Sequence, residues 1–251
     1  MRISRIHADA LFAQDQILEL EGEPSHYIRN VLRLRKGWQL TLFDGQGSEC
    51  PAIIESFDRD ITRLRLGKPS VVDRESPLEI QLVLGISRGE RMDLAIQKAV
   101  ELGVAAITPV FTEHCVVRLD EDKKDTRHRH WERVIRSACE QSGRNRLPSL
   151  ERPIPLFGWL EAPRPETTAL ILDPEAPKGL SEIAPFQGRL TLLIGPEGGF
   201  SDAEHEAARE SGFEKVQMGP RILRTETAVI AAITACQTLW GDLGAAMRPN
   251  P

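Results

Sequence analysis

The 251-residue chain reads as an α/β protein in two parts: a small β-barrel over residues 1–72 and a larger parallel-sheet domain over residues 73–251. Three observations carry that reading. Residues 38–66 form short β-rich runs split by turn signals. From residue 79 onward, strand-like and helix-like segments alternate. Two of the later runs, 168–172 and 190–194, are apolar throughout, as strands buried on both faces are.

Trp38–Phe43 is β-rich, and Asp44-Gly45-Gln46-Gly47 is a turn signal before a second strand over Cys50–Phe57. Ile61–Leu66 alternates apolar and polar residues, the period of a half-buried strand. Several short strands at this spacing predict the small barrel. Gly67–Pro77 carries Pro69 and Pro77 among charged residues and predicts a linker. Glu79–Ile86 then reads as a strand. In Arg91–Leu102, Met92, Ala95, Ile96, Ala99 and Val100 share one face, which predicts a helix ended by Gly103. Ala105–Phe111 predicts a strand and Thr126–Ser142 a long helix. Thr168–Leu172 and Leu190–Ile194 are the buried strands. Ser201–Glu210 predicts a helix opened by a Ser201/Glu204 capping box. Glu214–Met218 predicts a strand. Thr225–Trp240 is apolar nearly all round, so it predicts a helix buried on most sides.

Composition narrows the class. Apolar residues make up 41% and charged residues 27%, ordinary for a globular chain and enough for a sizeable core. The balance of 32 basic and 37 acidic residues, a net of −5, excludes a uniformly basic coat but allows local basic patches. No run approaches the roughly 20 apolar residues of a membrane span. Met1–Arg5 lacks the apolar core of a signal peptide. A cytoplasmic protein without membrane contact is expected. Cys50, Cys115, Cys139 and Cys236 are far apart with no C-x-x-C pair, which predicts buried free thiols and no zinc site or disulfide framework. No metal constellation is visible: His128 and His130, two residues apart, do not share a helical face.

Two windows break the acidic balance. Pro24–Phe43 has no acidic residue and holds Arg29, Arg33, Arg35 and Lys36 with Tyr27 and Trp38. Helical spacing would put Arg29 and Arg33 on one face. The second window, Arg127–Arg146, has six arginines against Glu132 and Glu140, with His128, His130 and Trp131. On a helix, Arg129, Arg133 and Arg136 share a face. Arginine forks suit phosphate, and aromatics among them suit unpaired bases. Solvated surface faces are the plainer explanation of such runs.

The sharpest local feature is Leu192-Leu193-Ile194-Gly195-Pro196-Glu197-Gly198-Gly199-Phe200-Ser201. A buried strand ends in a glycine-rich turn before a capped helix, at the strand edge where α/β proteins bind ligands. It is neither a P-loop nor G-x-G-x-x-G. A second loop, Met218 to Ala228, gathers Arg221, Arg224 and Glu226 just before a buried helix. Charges there need partners, and an Arg–Glu pair is one way to supply them.

These two loops carry a resemblance. LLIGPEGGFSDAE followed by MGPRILRTETAVIAA is similar to the SPOUT class of S-adenosylmethionine-dependent RNA methyltransferases. More narrowly, it resembles the family that methylates N3 of a uracil in bacterial 16S ribosomal RNA. RMDLAIQKAVELGVAAITPVFTEHCVVR, WERVIRSACEQSGRNRLP and SHYIRNVLRLRKG extend the resemblance over essentially the whole chain. It implies a PUA-like N-terminal barrel that helps hold RNA and a C-terminal SPOUT-type α/β domain with a trefoil knot. It also implies a homodimer with the cofactor pocket near the subunit interface.

Carried over, the pocket comprises the end of the Leu170–Asp173 strand, the Gly195–Gly199 turn and the Met218–Leu223 loop. Backbone groups of Leu172, Gly195, Met218, Ile222 and Leu223 would hold S-adenosylmethionine. Ile194, Gly198, Gly199 and Gly219 complete the loops, and Thr227 is a further contact. Uracil N3 must lose its proton before it attacks the methyl group. Glu197 and Glu226 are the carboxylate candidates, each with an alternative role: Glu197 orienting the loop, Glu226 pairing with Arg221 or Arg224. Arg224 and Arg144 are the cations that would stabilise the uracil anion. Arg29, Arg33, Arg35 and Lys36, with Arg133, Arg136, Gln141 and Arg144, would grip the RNA of the small subunit, naked or assembled. The base itself would be exposed or flipped. Other readings are a ribosome-assembly protein with a vestigial pocket, a SPOUT enzyme acting on another RNA, and a nicotinamide-binding enzyme. The missing dinucleotide fingerprint weakens the last.

Overall fold

The structure, a computed structural model, describes residues 3–115, 121–163, 165–186 and 188–244. It divides into two compact units. One holds the chain up to Glu75 together with Arg136–Leu147, and the other holds Ser76–Ile135 and the chain from Pro148 onward.

The first unit contains β1 (Ser4–His7), β2 (Ile17–Leu20), α1 (Gly22–His26), β3 (Gln39–Phe43), β4 (Ser48–Asp58), β5 (Ile61–Leu66) and β6 (Ser70–Val71). They form one six-stranded sheet in the order β1-β3-β4-β5-β2, with β6 paired to β4. Only β1 and β3 run parallel. The period-2 pattern decides which residues face the core: Cys50, Ala52 and Ile54 of β4, and Thr62, Leu64 and Leu66 of β5, are buried. Ile6, Ile28, Leu40 and Leu42 complete that core.

Two local features differ from the sequence expectation. The predicted linker contains β6, whose Ser70 pairs with Glu49. Its two exposed residues leave no side-chain pattern to read. Arg29 lies in a π-helical turn over Tyr27–Val31, while Arg33 lies beyond it with φ 53°. The two therefore share no helical face.

The return of Arg136–Leu147 to this unit is fastened by a polar cluster. Glu49 accepts from Arg5 at 2.8 Å, from Arg74 at 3.1 Å and from the Asn145 amide at 3.1 Å. Asn145 also accepts from Arg5 and donates to the Val72 carbonyl at 3.0 Å. Burial alone would raise the Glu49 carboxyl; the hydrogen bonds from Arg74, Arg5 and Asn145 outweigh it and bring it down to about 2.

The second unit contains β7 (Glu79–Gly85), α2 (Glu90–Glu101), β8 (Ala106–Phe111), most of α3 (Glu121–Ser142), β9 (Ser149–Leu150) and β10 (Ile154–Pro155). After them come α4 (Leu156–Glu161), β11 (Thr168–Leu172), β12 (Arg189–Ile194), α5 (Asp202–Glu210), β13 (Glu214–Val216) and α6 (Thr225–Trp240). All seven strands are parallel, in the order β10-β8-β7-β12-β11-β13, with β9 on β8. Helices cover the sheet, so β7 and β12 are apolar and buried along most of their length.

α6 packs on α2, and its Val229, Ala232, Ile233 and Cys236 are buried. Its fully buried Gln237 donates to the Leu102 carbonyl at 3.0 Å and accepts from the Ser76 hydroxyl at 2.6 Å. Gly103 ends α2 at φ 88°, and a Cβ there would lie 3.0 Å from the Gln237 amide. As expected, α6 is buried or half-buried on most sides; of its residues only Thr227, Thr238 and Leu239 are exposed, Leu239 at 48%. Among the described residues, no helix is long and apolar enough to cross a membrane.

Candidate functional site

Because β11, β12 and β13 are adjacent and parallel, their following loops leave the same sheet edge. This brings Leu172, Ile194 with Gly195, and Met218 to one rim. Leu172 is half-buried and pairs in register with Val216. The next residue, Asp173, is buried and accepts from Lys215 at 2.8 Å and from the Glu175 amide at 2.8 Å. Burial would raise its carboxyl, but those bonds hold it below the usual range.

The glycine turn is closed by a hydrogen bond from the Gly199 N–H to the Pro196 carbonyl at 3.0 Å, with Gly199 at φ 70°. A Cβ on Gly198 would sit 2.7 Å from His114 Cβ and 3.0 Å from the His114 carbonyl. The turn thus lies against the residues that follow β8. Glu204, 1% exposed, fastens the other side: it accepts from the Ser201 amide at 2.9 Å and the Glu113 amide at 2.8 Å. Ser201 returns the capping bond to Glu204. In the third loop, Met218 and Leu223 are half-buried, while Gly219 (φ 86°), Arg221 and Ile222 are exposed. Arg224 is the exposed N-cap residue of α6, and Thr227 is exposed on its first turn.

The two candidate glutamates differ. Glu197 accepts from Arg91 at 3.0 Å. Burial pushes its carboxyl up, but its own amide, Arg91, the Arg88 amide and the Ser87 hydroxyl together hold it lower. It is an engaged carboxylate that ties the glycine turn to α2. Glu226 is half-buried, and its Oε2 is sealed from solvent with no hydrogen-bond partner among the described residues. Neither Arg221 nor Arg224 forms an ion pair with it. An isolated buried carboxylate oxygen is costly, so it marks a place where a donor from outside the chain is wanted.

Arg144 belongs to the first unit and is 5% exposed. It forms a buried ion pair with Glu75, with Nε 3.3 Å from Oε1 and a closer Nη2 contact. The guanidinium is committed to the fold rather than free for an anion. Burial pushes the Cys139 and Cys236 thiols up to about 12, so neither is a thiolate nucleophile. Cys115 is only half-buried, unlike the other three cysteines. Among the described residues, no cluster could hold a metal ion.

Of the predicted RNA-gripping residues, Arg33, Arg35 and Lys36 are exposed, next to Trp38 at 41% exposure. Arg29 lies over the Phe57 ring at 5.3 Å and donates to the Arg59 carbonyl. Arg129, Arg133, Arg136 and Gln141 are exposed along α3. The aromatics of that second window are not available for stacking. Trp131 is 1% exposed, His128 bonds the Leu150 carbonyl at 3.1 Å, and His130 bonds Asp93 at 2.8 Å. Sequence reasoning missed Ser87, Arg91, His114 and Glu204 around the glycine turn. The capping box already named Glu204, but its second bond, to Glu113, spans 91 positions and leaves no local trace.

Comparison with known proteins bears on the same regions. Residues 74–237 match the RNA methyltransferase domain and residues 20–61 the RNA methyltransferase PUA domain. A ribosomal RNA small subunit methyltransferase E from Buchnera aphidicola is 38% identical over 242 residues, covering 96% of this chain and 98% of that protein. A Legionella pneumophila protein described as a methyltransferase, solved with its bound cofactor SAM, superposes with a TM-score of 0.94 at 41% identity. It covers 97% of this chain and 100% of that one. The ribosomal RNA small subunit methyltransferase E of Neisseria gonorrhoeae, bound to S-adenosyl methionine, gives 0.89 at 39% identity over 96% and 100% of the two chains. These matches run along nearly the whole chain, and on them the chain belongs to the ribosomal RNA small subunit methyltransferase E family.

Proposed function

We propose that this chain transfers the methyl group of S-adenosylmethionine to N3 of a uridine in 16S ribosomal RNA, acting as a cytoplasmic homodimer with its cofactor in a trefoil knot. The observation that carries the reading is the strand order β12-β11-β13. After β12 the chain passes to the far side of β11 before it pairs again, so three loops converge on one rim. That crossing supports the knot. Exposed Leu239 and Leu243 offer apolar surface for a second subunit.

The rim fits the cofactor. Gly195, Gly198 and Gly199 present backbone without side chains, Ile222 and Leu223 supply apolar contact, and Glu226 leaves an acceptor without a donor among the described residues. Bound S-adenosylmethionine supplies a methyl group activated by its sulfonium. Glu226 takes the N3 proton of the uracil, a role Glu197 fills less well because its carboxylate is engaged by Arg91. Arg224, exposed and without an ion pair among the described residues, stabilises the negative charge left on the ring oxygens. Arg144 keeps the fold rather than touching the base. Arg33, Arg35 and Lys36, and separately Arg133, Arg136 and Gln141, hold phosphates of the RNA, which makes binding salt-dependent, whereas Arg29 is engaged by Phe57 and the Arg59 carbonyl.

The test is nucleoside mass spectrometry after incubation of unmodified small subunits, and separately naked rRNA, with protein and labelled cofactor. Formation of 3-methyluridine is expected. Cofactor binding without any methylated nucleoside would leave an RNA-binding assembly protein instead.

A further inference from the structure

We propose that the first unit carries a cleft for one unpaired RNA nucleotide, walled by Glu21, His26, Arg29, Asn30, Arg59 and Asp60. This rests on the reading of the chain as an RNA methyltransferase and extends it to a second RNA contact, apart from the methyl-transfer rim. The cavity has a volume of about 650 Å³, within the range of small-ligand sites and sufficient for a nucleotide. Ser25, which also lines it, shares a buried hydrogen bond with the Thr62 hydroxyl, 2.7 Å long.

Arg59 is the telling residue. β4 and β5 are joined by a two-residue turn, because Asp58 pairs with Ile61. Arg59, first in that turn, has φ 44°, a conformation that primed hairpin turns give to glycine. A side chain kept in that backbone region points to a use for the side chain. The strained peptide is braced: half-buried Arg29 lies over Phe57 and donates to the Arg59 carbonyl. Among the described residues, nothing pairs with the Arg59 guanidinium, and Arg59 lines the cleft.

The lining suits a base and its phosphate together. The Arg59 fork can take phosphate oxygens. Glu21 and Asp60 are acceptors for base N–H groups, and the Asn30 amide offers both a donor and an acceptor. Guanine, with two adjacent N–H donors on its pairing edge, fits this set best. The two arginines and two carboxylates cancel in charge, so the cleft does not attract polyanions indiscriminately. Recognition then depends on the base.

The experiment measures fluorescence anisotropy of a labelled RNA oligonucleotide with one unpaired guanosine, on the full chain and its Arg59→Gly variant. Glycine relaxes the turn while removing the guanidinium. The melting temperature is expected to rise by about 1–3 °C, the RNA Kd to weaken about tenfold, and calorimetric S-adenosylmethionine affinity to stay unchanged. An unchanged RNA Kd in Arg59→Gly overturns the cleft, as does equal competition by guanosine monophosphate alone, which would make it a free-nucleotide site. If the wild type forms 3-methyluridine but Arg59→Gly has the same KM, the cleft fails and the enzymatic reading stands. If no methylated nucleoside forms while Arg59 still governs oligonucleotide binding, the reverse holds.

Discussion

Replacing Glu226 with glutamine is expected to stabilise the protein while disabling it. The Glu226 Oε2 is sealed from water and meets no donor among the described residues, a loss of about 1–3 kcal/mol for a buried acceptor. Its charge in the first turn of α6 offsets this by about 0.3–1 kcal/mol through the helix dipole. Glutamine keeps the shape and drops the charge; its amide is also unpaired there, but a neutral group costs less to leave so than a charged one, so the net gain is at most about 1 kcal/mol, a rise of no more than about 2–4 °C in Tm. Loss of a general base lowers methyl transfer by about 10²–10⁴-fold. Calorimetry of the free protein and single-turnover transfer of labelled methyl to unmodified small-subunit RNA read the two effects separately. Opposite movements of stability and rate are the signature of a residue strained for function. Near wild-type turnover in Glu226→Gln would refute the assignment, and a fall in Tm of several degrees would refute the view that the carboxylate is unsatisfied.

The other predictions follow from packing and charge. Gly198→Ala places a Cβ 2.7 Å from His114 Cβ and 3.0 Å from its carbonyl; the turn must move, weakening S-adenosylmethionine binding at least tenfold by titration calorimetry. Glu204→Ala removes the acceptor for two amides, that of Glu113 and that of Ser201, the latter being half of the capping box, a loss of about 2–4 kcal/mol in urea unfolding. For Glu49 the folded carboxyl lies below its ordinary value, so its contribution is full above the unfolded value of about 4.5 and disappears as pH falls through about 2. Acid unfolding between those limits is expected to lose about 2–3 kcal/mol, and Glu49→Gln, less stable at neutral pH, to show a flatter profile there.

Much of the second unit is legible because its signals are local. Thr168–Leu172 and Thr225–Trp240 appear as predicted, as does the Ser201/Glu204 cap. In the first unit, Ile61–Leu66 is equally plain. α3 begins at Glu121 rather than Thr126, because its first residues are polar and offer no apolar period. β6, β9 and β10 are two residues each, held by pairing alone. At the site, the glycine turn and the loop before α6 announce themselves by composition. The Glu197–Arg91 pair spans 106 positions and Arg144–Glu75 spans 69. Only the fold brings such partners together, and only the fold separates Glu197, engaged by Arg91, from Glu226, whose Oε2 has no partner among the described residues.

The position of β11 has a kinetic corollary. Both of its neighbours come later in the chain, β12 from Arg189 and β13 from Glu214. During vectorial synthesis this hydrophobic segment therefore emerges with neither edge covered, and the rim around it closes only when β13 docks. Long-range parallel pairing of this kind is slow and exposes sticky intermediates. Catalytic competence should lag behind the appearance of helical signal in refolding, with cofactor capture as the last event to recover.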